Sequence, residues 1–258
     1  MLNNPFGGGD FNPILTSLSH EIDGSTISVG WDGNQFAFEF SYRYKIVTDE
    51  WPESAWSGWS TIKEISIPYL DEGEYIFQVK SRFEEGIEEE NPDSFTFLID
   101  AITGPSLRFF PLYKEVENLE GFTMDIYAEE VENLIGAEIE FTYDKNLVSF
   151  DTTMAGSFLL TMPDNILIQE HDQETGAVLL TIATALDTGE GLTGSGSLAQ
   201  ISFTSLTSGT FELNFYDNPS QECPWHGLSE DHSTFVNYST PYISDSFTSL
   251  INATIMIE

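Results

Sequence analysis

Positive charge is scarce in this chain: 8 Lys and Arg stand against 43 Asp and Glu among 258 residues, a formal net charge of −35. The deficit is shared, with 19 acidic and 5 basic residues up to Gly104 and 24 and 3 beyond it. A surface so acidic repels phosphate backbones and anionic headgroups, which excludes nucleic acid and acidic bilayers as partners. It fits a solvated exterior suited to salt, divalent cation binding, or docking to a basic partner. Cysteine is nearly absent too. Cys223 stands alone, so no internal disulfide can form. No apolar run approaches the ~20 residues that cross a bilayer as a helix. No window of a dozen residues carries a 3.6-residue apolar stripe, so helix is expected almost nowhere. The opening, MLNNPFGGGDFNP, lacks the basic and apolar regions of a signal peptide.

Catalytic signatures are missing as well. No GxSxG precedes a helix, and the glycines of GSGSLAQ are followed by a strand pattern, so they serve turns and cradle no phosphate. His20, His171, His226 and His232 lie in polar turn contexts without a Ser or Cys partner. Carboxylate pairs are abundant by composition alone, so their number singles out no glycosidase pair. Cys223, His226, Asp231 and His232 offer one thiol and no repeated spacing, unlike a zinc site. Calcium suits the composition better, with hard oxygens on loops. The candidates are Asp172 and Glu174 in EHDQETG, Asp187 and Glu190 around DTGEG, and Asp217, although no DxDxDG loop is present.

What the chain does have is aromatic and β-forming residues. Twenty Phe and ten Tyr favour strands. Residues 1–12 are rich in Asn, Gly and Pro and read as a flexible leader. Strand-like segments follow at 14–19, 25–31, 36–47, 62–67, 75–83 and 95–99, separated by Asp-Gly, Asp-Glu-Gly and Asn-Pro signals. Thr103-Gly104-Pro105 is the natural hinge between a domain at 13–102 and another at 106–258. In the second, VENLIGAEIEFTYDKNLVSF (131–150) reads as a strand, a turn from Asn133 to Gly136, and a second strand. Ile139, Phe141 and Tyr143 face one side of it and Glu138, Glu140 and Thr142 the other.

Trp31, FSYRYKI followed by WSGWSTIKEISI, and LDEGEYIFQV with Tyr75 at a tyrosine-corner position make the first domain resemble a fibronectin type III-like module. The variety is that of Y_Y_Y repeats. Trp51, Trp56 and Trp59 raise a carbohydrate-stacking role, weighed against edge-strand packing of the kind WSGWS-like segments have in this fold.

Tyr143-Asp144, Leu147, Phe150, Gly156, ALDTG (185–189) and GSGSLAQISF (194–203) make residues 106–258 resemble a cohesin, the module that captures dockerins in scaffolding proteins. The resemblance implies an all-β protein, an immunoglobulin/fibronectin III-like sandwich followed by a nine-stranded jelly roll. It also implies partner binding on the face made by the third, fifth, sixth and eighth strands. On that face Glu138 and Gly189 match the family. Gly136, Leu186 and Ala183 depart from it at an Asn, an acidic and an apolar position. Glu140 and Thr142 share the face.

The departure in length is 216–246, an insertion holding Trp225, Phe235, Tyr238 and Tyr242, too aromatic for a linker and able to supply a binding rim. Trp225 and Tyr238 join Trp51 and Trp56 as aromatic binding candidates. The expectation is a non-catalytic, secreted or cell-surface scaffold whose cohesin-like module docks a protein partner, dockerin-like or another copy. A carbohydrate-binding module, and a filament or surface-layer subunit, are the alternatives.

Overall fold

The computed structural model describes residues 12–52, 55–83, 86–162, 164–184, 191–216, 224–225, 233–237 and 243–258. The chain divides into two units, Met1–Ala101 and Ile102–Glu258, and is all-β. Residues Leu159–Thr161 form a 3-10 turn, and among the described residues no helix is long and apolar enough to cross a membrane.

The first unit holds β1 (Leu15–Asp23), β2 (Thr26–Gly33), β3 (Glu39–Ile46), β4 (Glu64–Ile67), β5 (Gly73–Phe83), β6 (Ile87–Glu88) and β7 (Asp93–Ile99). One sheet runs β1-β2-β4, and β5 sits between β3 and β7 in the other. Two-residue alternation places Ile27, Val29 and Trp31 of β2 against Tyr75, Phe77 and Val79 of β5 in a single core. The Trp31 ring lies 6.0–6.2 Å from those of Phe40, Tyr42 and Phe77. The Tyr75 hydroxyl donates to the Asp71 carbonyl at 3.0 Å, a tyrosine corner that fixes the turn into β5.

Residues 57–60 run beside β3. The Ser57 amide donates to the Tyr42 carbonyl at 2.8 Å, the Tyr42 amide to the Ser57 Oγ at 3.0 Å, and Phe40 and Ser60 exchange both backbone bonds. The two serines of WSGWS thus tie the segment to the sheet edge, and Trp56 and Trp59 lie over the sheet's outer side.

The second unit holds β8 (Ser106–Phe110), β9 (Tyr113–Val116), β10 (Gly121–Thr142), β11 (Val148–Ala155), β12 (Ile166–Asp172), β13 (Ala177–Ala183), β14 (Leu192–Ser205), β15 (Gly209–Phe215), β16 (Thr234–Asn237), β17 (Ile243–Ser246), β18 (Ser249–Ile251) and β19 (Ala253–Ile257). Its organiser is β10. The first half of β10 pairs with β8 and β14, and β11 follows β14. The second half pairs with β13 and β16, and β12 and β17 follow outside them. The two halves face each other across one core, where Phe109 of β8 sits 5.6 Å from Phe141 and 4.2 Å from Phe215, ring to ring.

Two expectations are corrected here. The turn at Asn133–Gly136 is absent, and β10 passes through those residues as a strand. Its direction changes by register shifts between Ala128 and Leu134, with Glu130 and Asn133 in the left-handed region, each at φ 51. Their amides find side chains in place of ladder partners: Ser195 Oγ at 2.9 Å and Thr193 Oγ1 at 3.0 Å. Second, where nine strands were expected the described residues of this unit hold twelve, because two expected strands merge in β10 and four are added. Pro111, which has no amide to donate, separates β8 from β9. Asn252 separates β18 from β19, its Oδ1 accepting the Phe215 amide at 3.0 Å. The remaining addition, β16 and β17, comes from the insertion.

Candidate functional site

The outer side of the layer β12-β13-β10-β16 is the surface to which the expected partner-binding residues Glu138, Glu140, Thr142 and Ala183 belong. Cross-strand register sets their neighbours. One outward row is Ile166, Ala183, Gly136 and Val236, and the next is Ile168, Thr181, Glu138 and Thr234. Ile166 and Ile168 are 50% and 54% exposed, large apolar side chains open to solvent on an edge strand. Glu138 is exposed, and Thr181, Ala183, Thr234 and Val236 are half-buried. Between Gly136, Ala137, Thr181, Ala183 and Val236 lies a shallow depression of about 420 Å³. Glu138 is the one charged residue in these two rows.

The next row behaves differently. Glu140 was expected to face a partner; it is fully buried, and its register partner Leu179 is 6% exposed. This is a correction with a clear cause. Phe215 points into the core, so Tyr216 points outward, and its amide donates to the Glu140 carbonyl at 3.0 Å. The chain returns at Ser233, whose Oγ accepts the Glu140 amide at 3.3 Å. Trp225 packs on Tyr216 and on outward-facing Ala177. Tyr216, Trp225 and Ser233 therefore lie on the lower half of the face. Thr142, half-buried there, donates its hydroxyl to the Asn214 carbonyl at 3.4 Å.

At the bottom of β12 the carboxylate of Asp172 is engaged by its own turn. It accepts the Glu174 amide and the Thr175 hydroxyl, both at 2.9 Å, and these hold its pKa below the usual carboxylate value. The Lys145 ammonium donates to the Glu174 carbonyl. Among the described residues no group of three or more His, Cys, Asp or Glu is placed to hold a metal ion. Asp187, Glu190, Asp217, Leu186, Gly189 and Tyr238 lie outside the described residues, as do Cys223, His226, Asp231 and His232. On the opposite side of β12, His171 Nε2 is 2.8 Å from the Tyr143 hydroxyl, with the Phe150 ring 4.8 Å away. His171 keeps much of its solvent exposure, and partial desolvation of its ring lowers its pKa below 6.5, with Asp172 partly offsetting it; burial also raises Tyr143.

In the first unit, Trp51 and Trp56 are half-buried in a ladder of alternating rings and cations. The Arg43 guanidinium lies 3.9 Å from the Trp51 ring centre and 4.3 Å from Trp56. Lys80 lies 4.8 Å from Trp56 and 5.0 Å from Trp59, and Arg82 is 4.5 Å from Trp59. Lys45 adds a contact to Trp51 at 5.2 Å. The protein's own cations thus lie against these rings. Sequence reasoning missed this ladder. Its signal was the i, i+2 spacing of cations in FSYRYKI and again in QVKSRF, which puts Arg43, Lys45, Lys80 and Arg82 on one side of paired strands.

Residues 32–100 match the Y_Y_Y domain. The match runs from the end of β2 through β7, so β1 and most of β2 precede it. The remaining part is similar to cohesins of known structure. A type II cohesin domain from the cellulosome of Acetivibrio cellulolyticus aligns at 18% identity over 60% of this chain and 98% of its own, with a TM-score of 0.49. A non-cellulosomal cohesin from the hyperthermophilic archaeon Archaeoglobus fulgidus aligns at 12% over 59% and 90%, with a TM-score of 0.43. The third cohesin of ScaC, in complex with the ScaB dockerin, from Acetivibrio cellulolyticus, gives 13% over 59% and 97%, also at 0.43. Among curated proteins none matches.

Proposed function

We propose that this is a non-catalytic scaffold protein acting outside the cell, whose second unit docks a protein partner on the open half of the β12-β13-β10-β16 face. The first unit serves as a spacer stiffened by its cation–aromatic ladder. One observation carries the reading. In a chain of net charge −35, two adjacent rows of outward strand positions hold Ile, Val, Ala, Gly and Thr with a single carboxylate. A merely solvated surface on this chain would be acidic there, as it is elsewhere; an apolar centre within an acidic surround is the layout of an interface. The surround favours a partner with a basic rim, drawn in by charge and retained by the apolar rows.

A dockerin is the partner class to try first, since one of the similar cohesins is held by a dockerin. Dockerin modules of several types, immobilised separately, should retain the chain in at least one case. Retention should drop at least tenfold on Ile168→Asp and on Glu138→Lys, both exposed positions whose change leaves the fold intact. Retention by none, or retention indifferent to both substitutions, would sink the reading.

A further inference from the structure

With 43 carboxylates for 8 Lys and Arg, an ion pair is the ordinary outcome for a cation in this chain. Lys63, Lys80, Arg82 and Arg108 meet Asp32, Glu88, Glu39 and Glu129 at 2.6–2.7 Å. Arg43 and Lys45, neighbours on the outer side of β3, have no carboxylate partner among the described residues. Arg43 Nε and Nη2 both donate to Gln78 Oε1, at 2.8 and 2.6 Å, and Lys45 Nζ donates to the Val47 and Asp49 carbonyls. Partial desolvation lowers the Arg43 pKa, so the guanidinium has given up water without gaining a counter-charge. Register carries these cations across the sheet. One outward row is Arg43, Gln78 and Ser94, and the next is Lys45, Ile76 and Thr96. Ser94 and Thr96 are exposed and the other four half-buried, while Phe77 and Phe97 between them point into the core. The two rows cover about 7 Å along the strands and about 10 Å across them. They hold no carboxylate. Trp51 borders them, its ring centre 3.9 Å from the Arg43 guanidinium and 5.2 Å from the Lys45 ammonium.

We propose that these two rows of the first unit bind a sugar that carries one carboxylate, a uronic acid unit on an otherwise uncharged glycan. Arg43 and Lys45 take the carboxylate. Stacked between Trp51 and Trp56, the guanidinium binds at its edge, and it keeps Nη1 and a second Nη2 proton beyond the two bonds to Gln78. Gln78, Ser94 and Thr96 supply neutral donors and acceptors for the ring hydroxyls. Trp51 and Ile76 supply apolar area beneath the sugar ring. Two cations set the charge of the ligand. Asp49, Glu50 and Glu74 are exposed nearby, so an acidic peptide or a polyanion running past the two cations meets like charge. The other end of the ladder adds no second site, because Lys80 and Arg82 already hold Glu88 and Glu39. This site is separate from the docking face of the second unit and gives the first unit a ligand of its own.

The test titrates the full chain, by ligand-observed NMR, with methyl β-glucuronoside, methyl β-glucoside, acetate and an acetylated Asp-Asp amide. The glucoside lacks the charge and acetate lacks the ring, so the comparison isolates their joint recognition. The glucuronoside is expected to bind about tenfold or more tightly than each of the others. Gln78→Glu sets a carboxylate of the protein's own on Arg43 while keeping the shape of the ladder. It should weaken glucuronoside binding about tenfold or more, with a urea midpoint of the first unit that holds or rises. Trp51→Ala should weaken the glucuronoside and leave acetate unchanged. Equal binding of glucuronoside and acetate would mean an adventitious anion only, and overturns the sugar site. Equal binding of the two glycosides, binding of no probe, or indifference to Gln78→Glu overturns it as well. Tighter binding of the Asp-Asp amide than of the glucuronoside assigns the rows to an acidic peptide, and the proposal falls.

Discussion

At the scale of single residues, hydroxyls and one imidazole decide local order. The Tyr75 hydroxyl reaches the Asp71 carbonyl while its ring stacks on Phe97 at 5.3 Å. Tyr75→Phe keeps the ring and removes the bond, so the first unit should lose about 1 kcal/mol, read as a lower urea midpoint at unchanged slope. His171 carries a pH dependence with a fixed sign. Partial desolvation lowers its pKa below 6.5, so just beneath that pH the unfolded chain binds a proton that the folded chain does not. Its contribution to stability is complete above about pH 6.5 and declines as pH falls towards the folded value. Urea titrations between about pH 7.5 and 5 should show a decline that His171→Gln flattens. Identical slopes in both proteins would mean that the imidazole is not held by Tyr143 and Phe150 in solution.

At the scale of elements, β10 connects the two halves of the second unit, and its bend depends on what lies against it. A Cβ on Gly191 would sit 2.3 Å from the backbone carbon of Asn133, within the bend. Gly191→Ala should therefore destabilise the second unit by about 1–3 kcal/mol through forced backbone displacement, measurable by denaturant unfolding. The same strand shows what could be read in advance. The alternation of 137–143 was legible because each inward residue answers to its own strand, and Gly209–Phe215 and Ala253–Ile257 carry that pattern from end to end. Continuity through Asn133 and Gly136 was not, because those residues have turn chemistry and the side chain that rescues the Asn133 amide arrives 60 residues later. Burial of Glu140 was hidden for a related reason: Ser233, which accepts its amide, lies 93 residues away in sequence. The cation ladder joins strands 35 residues apart, as the Arg43–Gln78 bond marks. Periodicity reports which side a residue takes, and it is silent about what later folds over that side.

At the scale of the whole molecule, the same −35 charge acts with opposite signs on folding and on docking. Folding gathers like charges, so self-repulsion weakens each unit most when the Debye length is long, about 30 Å at 0.01 M salt. Raising salt to about 1 M shortens that length to about 3 Å and removes much of the cost, so both units should unfold at higher temperature in scanning calorimetry. Docking runs the other way. The acidic surround accelerates encounter with a basic partner, and screening takes that acceleration away, so the association rate of a captured partner should fall steeply with salt. Dissociation should barely change, because the apolar rows of Ile166, Ile168, Ala183 and Val236 hold the complex and salt does not screen burial. Stopped-flow association and chased dissociation across the same salt series separate the two. If dissociation accelerates with salt as strongly as association slows, charge pairs around those rows hold the partner, and the apolar rows are not what binds it.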